Sequence, residues 1–195
     1  MSEVRPTMDR PAQGPSWLAS RPAAAKLGAL WVMLLALLGA IAACGGNPGV
    51  AVSVGRSLEL HVSTPDIVNE VNFIDEAGIP RQIRARASNR QLAVVEVTVV
   101  NRTSIVTPLR ISSESAQLGD RRGQRIEALD PFESGRPIAE LSEEDRTYTS
   151  FLWGDTQLER KFQITGWMVF DVPKGLTLGT FWWREVDTIS VNLFL

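Results

Sequence analysis

Few residues in this chain could carry out catalysis. His61 is the only histidine and Cys44 is the only cysteine. A Ser-His-Asp triad would have to use His61, and the chain has no Gly-x-Ser-x-Gly segment to present a nucleophilic serine. A single cysteine allows neither an internal disulfide nor a cysteine-based metal cluster. We therefore predict no catalytic residues, no cofactor and a non-enzymatic role.

An acidic segment is the second candidate for chemistry. Glu140, Glu143, Glu144 and Asp145, together with Asp155, could supply oxygen ligands to Ca²⁺, which binds about six to eight of them. Their spacing matches no known calcium loop, and the chain has no glycine-rich phosphate loop. The sequence therefore predicts a solvated acidic surface and no metal site.

The residues before Cys44 predict a membrane anchor. Residues 27–43 form an apolar run, which is longer than the usual signal core of about 7–15 residues and shorter than a usual membrane helix of about 20. The small residues Ala42 and Ala43 lie directly before Cys44, in a pattern that resembles a bacterial lipobox. In such a motif a peptidase cuts before the cysteine, and the thiol carries diacylglycerol. We expect lipid attachment at Cys44, with an uncleaved signal anchor as the alternative.

This anchor divides the chain into three parts. We expect residues 1–43 to be a disordered leader plus a lipoprotein signal peptide or signal anchor, because the leader is polar and proline-rich. Residues 44–57 would be a linker and residues 58–195 the domain. The expected location is the extracytoplasmic side of the cell membrane, through a lipidated Cys44 or through an N-terminal helix in a single-pass protein.

The charge of the chain limits its partners. Its formal net charge is −2, whereas nucleic-acid-binding domains are usually basic, so we expect no nucleic acid. The expected partners are the membrane and a protein of the cell envelope or the extracellular space. The series Arg81, Arg84, Arg86 and Arg90 has two interpretations. It could meet lipid phosphates, or it could form the solvated face of a strand and discourage edge pairing.

Alternating apolar and polar residues predict strands over most of the domain. Each strand would have one apolar face to bury, which favours an all-β, antiparallel sandwich. Residues 130–161 lack this alternation, and we expect them to cross one end of the sandwich with a helical turn starting near Ser142. The predicted strands are residues 58–64, 82–87, 92–100, 115–118, 124–128, 164–172, 176–184 and 188–195.

Three segments of the domain carry a family resemblance. Residues 94–103 (VVEVTVVNRT) are a hydrophobic strand that ends in Asn, residues 118–123 read Leu-x-Asp-x-x-Gly, and residues 166–173 (GWMVFDVP) read Gly-x-x-x-Phe-Asp-Val-Pro. This combination resembles the DUF4352 family of bacterial extracytoplasmic domains, often found on lipoproteins. The resemblance covers about residues 58–195 and implies an immunoglobulin-like sandwich. Ile126 stands where such domains often carry an aromatic residue. The family has no assigned activity and implies no active site.

Strand parity predicts outward-facing aromatic side chains. Trp167 would face away from the core, and one of the neighbours Trp182 and Trp183 must do so. Together with Trp153, these tryptophans could form a surface that binds a glycan or another small ligand. Alternatively, residues 130–161 fold over them. The sequence therefore supports two hypotheses, a tethered interaction module and a small-ligand or glycan binder.

Overall fold

The computed structural model describes residues 49–120, 122–142 and 147–193. Strands make up more than half of these ranges and helix almost none of them, and every pairing between the strands is antiparallel. The expected all-β, antiparallel class is therefore confirmed. The predicted signal segment and Cys44 lie outside the described residues. Within the described ranges, no helix is long and apolar enough to cross a membrane.

One large sheet organises the domain. The elements of the described residues are β1 (Val50–Val54), β2 (Leu58–Ser63), β3 (Asp66–Val68), β4 (Glu70–Ile74), β5 (Pro80–Arg84), β6 (Arg90–Asn101), β7 (Thr107–Ile111), β8 (Ala116–Asp120), β9 (Arg125–Leu129), α1 (Pro131–Ser134), β10 (Arg136–Pro137), β11 (Gly154–Leu158), β12 (Gln163–Pro173), β13 (Leu178–Trp183) and β14 (Ile189–Asn192). The strand order of the large sheet is β1-β2-β6-β12-β9-β8-β13-β14, with β3 paired to β6. The last strand returns beside the first, so the sheet nearly closes on itself.

The main core fills the inside of this sheet. Alternate residues of β2, β6, β12 and β14 point inward, as the sequence pattern predicted, and burial of one such Leu or Phe side chain is worth about 1.5–3 kcal/mol. Phe170, Phe181 and Trp183 are fully buried in this core. The rings of Phe170 and Phe181 meet edge to face with their centroids 6.2 Å apart. Core residues with no more than 2% exposure include Leu58, Leu60, Val62, Val95, Val97, Val99, Phe170, Phe181 and Trp183.

A second core lies on the outer face of β6 and β12. Leu92, Val94 and Val169 are buried there, although their neighbours in sequence point into the main core. They are covered by the β4–β5 hairpin, chiefly by Phe73 and Ile83. Half of the central strand pair is therefore buried on both faces, which explains the continuous apolar run at the start of β6.

The predicted linker of residues 44–57 needs a correction. Val50–Val54 forms strand β1, which pairs with β2 over its whole length. Ala51 faces the core, while Val52 and Val54 are 54% and 53% exposed. Because the small residue points inward and the large ones outward, the alternation in this segment does not resemble that of an ordinary core strand.

The segment of residues 130–161 is also more regular than predicted. A helical turn, α1, begins after Asp130, whose Oδ1 accepts hydrogen bonds from the backbone N–H groups of Phe132 and Glu133. Strand β11 pairs with β7, and neither strand was predicted. The helical turn expected near Ser142 falls on residues 143–146, which lie outside the described ranges.

Asp75 closes the β4–β5 hairpin. Its Oδ2 accepts a hydrogen bond from Arg81 Nε at 2.6 Å, and its Oδ1 accepts from the N–H groups of Ile79 and Ala77 at 2.9 and 3.0 Å. These donors stabilise the charged carboxylate, so the pKa of Asp75 is below its ordinary value, first because of Arg81 and then because of Ile79.

We predict that Arg81→Met raises the pKa of Asp75 towards its ordinary value in an NMR titration. A folded-state pKa below the unfolded one adds stability above the unfolded pKa, and this stability is lost as the pH falls through the folded pKa. The free energy of unfolding of Arg81→Met should therefore be lower than that of the wild type at neutral pH, and the difference between the two proteins should shrink in acid. Arg84→Met is the control, because its partner Glu70 lies 3.6 Å away on an exposed surface. An unchanged Asp75 titration in Arg81→Met would contradict this account.

Candidate functional site

The structure settles which tryptophan of the pair on β13 leaves the core. Trp183 is fully buried, and its indole N–H donates a hydrogen bond to the carbonyl oxygen of Glu185 at 2.8 Å. Trp182 lies on the outer face of the sheet, half-buried, with the Arg125 guanidinium carbon 4.5 Å from its ring centroid. The outer face of the Trp182 ring is therefore already covered by a cation.

The other two tryptophans lie in different surroundings. Trp167 faces away from the main core, as parity predicted, and packs edge to face on Tyr148 with the ring centroids 5.2 Å apart. Residues 148–151 and the β4–β5 hairpin cover this region. Trp153 is half-buried at the edge of the main core and lines a cleft. The four predicted tryptophans thus occupy separate environments instead of one aromatic face.

The remaining candidates for chemistry are engaged on the surface. His61 Nε2 lies 2.9 Å from Glu59 Oε1 on the outer face of β2. Arg81, Arg84, Arg86 and Arg90 each have a carboxylate partner at 2.6–3.8 Å, which favours a solvated strand face over a phosphate-binding series. Within the described residues, no group of His, Cys, Asp and Glu could hold a metal ion. The acidic residues 143–145 lie outside those ranges.

A cleft opens where β12 separates from β9. These strands pair only at Val169–Leu129 and Phe170–Ala128, whereas β12 pairs with β6 along its whole length. The cleft has a volume of about 650 Å³. Its lining mixes charges of both signs with hydroxyl groups and one aromatic ring: Arg86, Arg90, Ser112, Ser113, Gln117, Arg125, Ile126, Glu127, Ala128, Leu129, Asp130, Glu133, Ser134, Trp153 and Asp171.

Two buried polar side chains line this cleft. Asp171 is 3% exposed, and its Oδ2 lies 2.9 Å from Arg90 Nε and 3.8 Å from Arg86 Nε. No aligned hydrogen bond joins the carboxylate to Arg90, so the contact is an ion pair, while Arg90 Nη2 donates to the Asp171 carbonyl oxygen. Gln117 is 7% exposed, and its Oε1 accepts no hydrogen bond from the described residues. Such a lining suits a small polar molecule with hydroxyl or amide groups.

A different surface forms at the far end of β6, which we call the loop end. It consists of four connections: residues 55–57, 102–106, 159–162 and 184–188. The buried Asn101 side chain donates hydrogen bonds to the carbonyl oxygens of Ile105, Leu158 and Glu159 at 2.8–3.2 Å. Asp187 Oδ2 accepts hydrogen bonds from the backbone N–H groups of Ser57 and Leu58.

The loop end exposes large apolar side chains. Ile105 is 67% exposed, Phe162 66%, Val186 50% and Val106 41%. The sequence analysis missed this surface. The sequence signal for it was the pair of β-branched residues Ile105 and Val106 inside the polar turn that follows Asn101. No sequence pattern around Phe162 or Val186 predicted that these side chains are exposed.

Comparison of the chain with protein-family models, curated proteins and solved structures found no significant match. The class that the structure defines is an all-β, antiparallel domain with a polar cleft and an apolar loop end.

We predict that Asp171→Ala lowers the free energy of unfolding by roughly 2 kcal/mol. The change removes the carboxylate that faces two arginines, and an uncompensated charge in a largely buried pair costs about 3–5 kcal/mol, which solvent at the half-exposed Arg90 reduces. Asp155→Ala is the matched control, since its pair with Arg110 at 3.6 Å is highly exposed. Urea denaturation of both variants is the measurement. Equal, near-zero effects would show that the pair in the cleft is not structural.

Proposed function

We propose that the protein is a membrane-tethered extracytoplasmic lipoprotein whose immunoglobulin-like domain binds a partner and catalyses no reaction. The loop end is the observation that carries this proposal. Exposed large apolar side chains clustered at one end of a domain are typical of contact surfaces. The partner would be a component of the cell envelope or of the extracellular space.

Sheet connectivity supports the sandwich in this proposal. Strands β1-β2-β6-β12 form one half of the main sheet and β9-β8-β13-β14 the other. Only two residue pairs join β12 to β9, and the main core lies between the halves. Two four-stranded sheets packed face to face would give this arrangement.

The motif residues behind the DUF4352 resemblance have structural roles that fit it. Asn101 joins the connections of the loop end. Asp120 Oδ1 accepts hydrogen bonds from the backbone N–H groups of Arg122 and Gln124 in the β8–β9 hairpin. A Cβ atom at Gly166 would lie 2.5 Å from the carbonyl oxygen of Ser150, so a side chain there would push this segment away. These contacts explain the pattern as a fold requirement and support the family only in that sense.

Lipid attachment at Cys44 would keep the domain close to the membrane. Val50 lies six residues after Cys44 in the sequence, and an extended chain spans at most about 3.3–3.6 Å per residue, which gives a reach of about 20 Å. The alternative, an uncleaved signal anchor, would leave the same domain on the same side of the membrane. Strand β1 has five residues, about 17 Å at roughly 3.3 Å per residue, so a reach of about 20 Å from Val50 would also allow the loop end, which begins at residue 55, to face the membrane.

We predict that the mass of the protein extracted from membranes corresponds to a chain starting at Cys44 and carrying acyl groups. Cys44→Ala should remain full-length and unacylated, because the thiol is the acyl acceptor. Intact mass spectrometry of both forms, expressed in a bacterium, is the measurement. A full-length, unacylated wild type would reject the lipoprotein and leave the signal-anchored alternative.

The cleft supports a second candidate function, binding of a glycan or another small polar ligand. Trp153 offers an aromatic face, and Gln117 offers an amide oxygen whose hydrogen-bond capacity is unused among the described residues. A sugar presents an apolar ring face that could stack on Trp153 and hydroxyl donors that could bond to the amide oxygen of Gln117. This hypothesis now rests on Trp153 alone, because the other three tryptophans do not line the cleft.

If the cleft binds sugars, chitotriose should bind the full-length protein, and Trp153→Ala should weaken binding about tenfold, which corresponds to about 1.4 kcal/mol. Gln117→Met should weaken it as well by removing the hydrogen-bond acceptor. Trp167→Phe is the control, since this ring packs on Tyr148 outside the cleft. Isothermal titration calorimetry is the measurement, and equal affinities for all four proteins would exclude the cleft.

A further inference from the structure

The loop end carries an excess of positive charge. Its cations are exposed, whereas its acids are partly engaged: Asp187 accepts two backbone N–H groups, and Glu185 accepts the N–H of Arg110 at 3.1 Å. Only Glu159 is an exposed acid in these four connections. The chain as a whole has a formal net charge of −2, so this end has the opposite sign. The cations are Arg56, Arg102, Arg160, Lys161 and Arg184, of which Arg102 also forms an ion pair with Glu59 of β2 at 3.6 Å.

The apolar side chains of this end are held outward by the backbone. Lys161, directly before Phe162, has φ of 60°, and Val186 itself has φ of 64°. Left-handed backbone is unusual for residues other than glycine and especially strained for a β-branched residue. On the neighbouring connection, Thr103 N–H and Oγ1 both donate to Asn101 Oδ1, which fixes the turn that presents Ile105. Strained residues of this kind cluster at functional sites.

We infer that the loop end docks on an anionic lipid surface. Ile105, Phe162 and Val186 enter the boundary between headgroups and acyl chains, and the arginines and the lysine meet lipid phosphates. The inference deepens the proposed function by naming the partner of its contact surface, and it rests on that function in placing the domain beside a membrane.

The shape of the surface favours lipid over protein. The exposed side chains protrude from separate connections, so a protein partner would need a matching pocket for each, within an interface of about 800 Å² per partner. Acyl chains adapt to any shape. Apolar tips surrounded by Lys and Arg are the chemistry of interfacial membrane binding, and such a contact adds a second attachment to a single anchor.

The test uses the protein as extracted from membranes, reconstituted into vesicles through its own anchor, which is either the lipid on Cys44 or the uncleaved N-terminal segment. Phe162→Cys is labelled with an environment-sensitive dye, and quenching by lipids with brominated acyl chains is measured. The vesicles contain either an equal mixture of phosphatidylcholine and phosphatidylglycerol or phosphatidylcholine alone. Ser88→Cys is the matched control, because Ser88 is exposed just before β6, at the end of that strand opposite to Asn101. Unsubstituted protein, treated with the same dye, gives the signal of any dye attached to Cys44.

We expect quenching of the dye at position 162 in the anionic vesicles to be about twofold or more, and weaker in phosphatidylcholine alone. The dye at position 88 should not be quenched, and Arg160→Gln with Lys161→Gln should reduce the quenching of the dye at position 162. Equal quenching at 162 and 88, or none at 162, would overturn the inference, and the latter would leave a protein partner or a second copy. Because either anchor holds the chain in the vesicle, failure of acylation at Cys44 would not be mistaken for failure of lipid docking.

Discussion

The buried amide of Asn101 is the interaction on which the loop end of the domain depends. Its side chain is 1% exposed and meets three carbonyl oxygens, while its Oδ1 accepts two hydrogen bonds from Thr103. A buried amide without partners is strongly unfavourable, so the neighbouring connections must all adopt the geometry that satisfies it. Asn101 also pairs with Leu58 in the sheet. One residue thereby joins the core to the loop end.

The long pairing of β6 with β12 produces the rest of the architecture. It is in register from Gln163–Val100 to Pro173–Arg90, and the half of it nearer to Arg90 is covered on both faces. Strand β9 follows β12 for only two residues, since the sheet must turn there to enclose the main core. The cleft with Asp171 and Gln117 is a consequence of this separation. The fold therefore creates the polar cleft and the loop end by different means.

Sequence reasoning located strands where side chains alternate by size and polarity, and it failed where tertiary packing overrides that pattern. Strand β1 was missed because Ala51 points inward, and β4 because Val71, Asn72 and Phe73 are all buried. Parity placed Trp167 outward correctly, but no local pattern could show that a distant hairpin covers this region. The cleft depends on where two strands part, and the loop end on where four connections meet. Neither is a property of one stretch of sequence.

Stability alone does not account for the loop end. Exposing Ile105 and Phe162 contributes little to the core, and a left-handed Val186 opposes folding by about 1–3 kcal/mol. A sequence selected only for stability would replace these residues with polar side chains and a glycine. Their coincidence with the buried Asn101 network and with five exposed cations indicates a surface that is held rigid so that it can meet something apolar and negatively charged. A lipid surface offers both properties in adjacent layers, since anionic headgroups lie directly over the acyl chains.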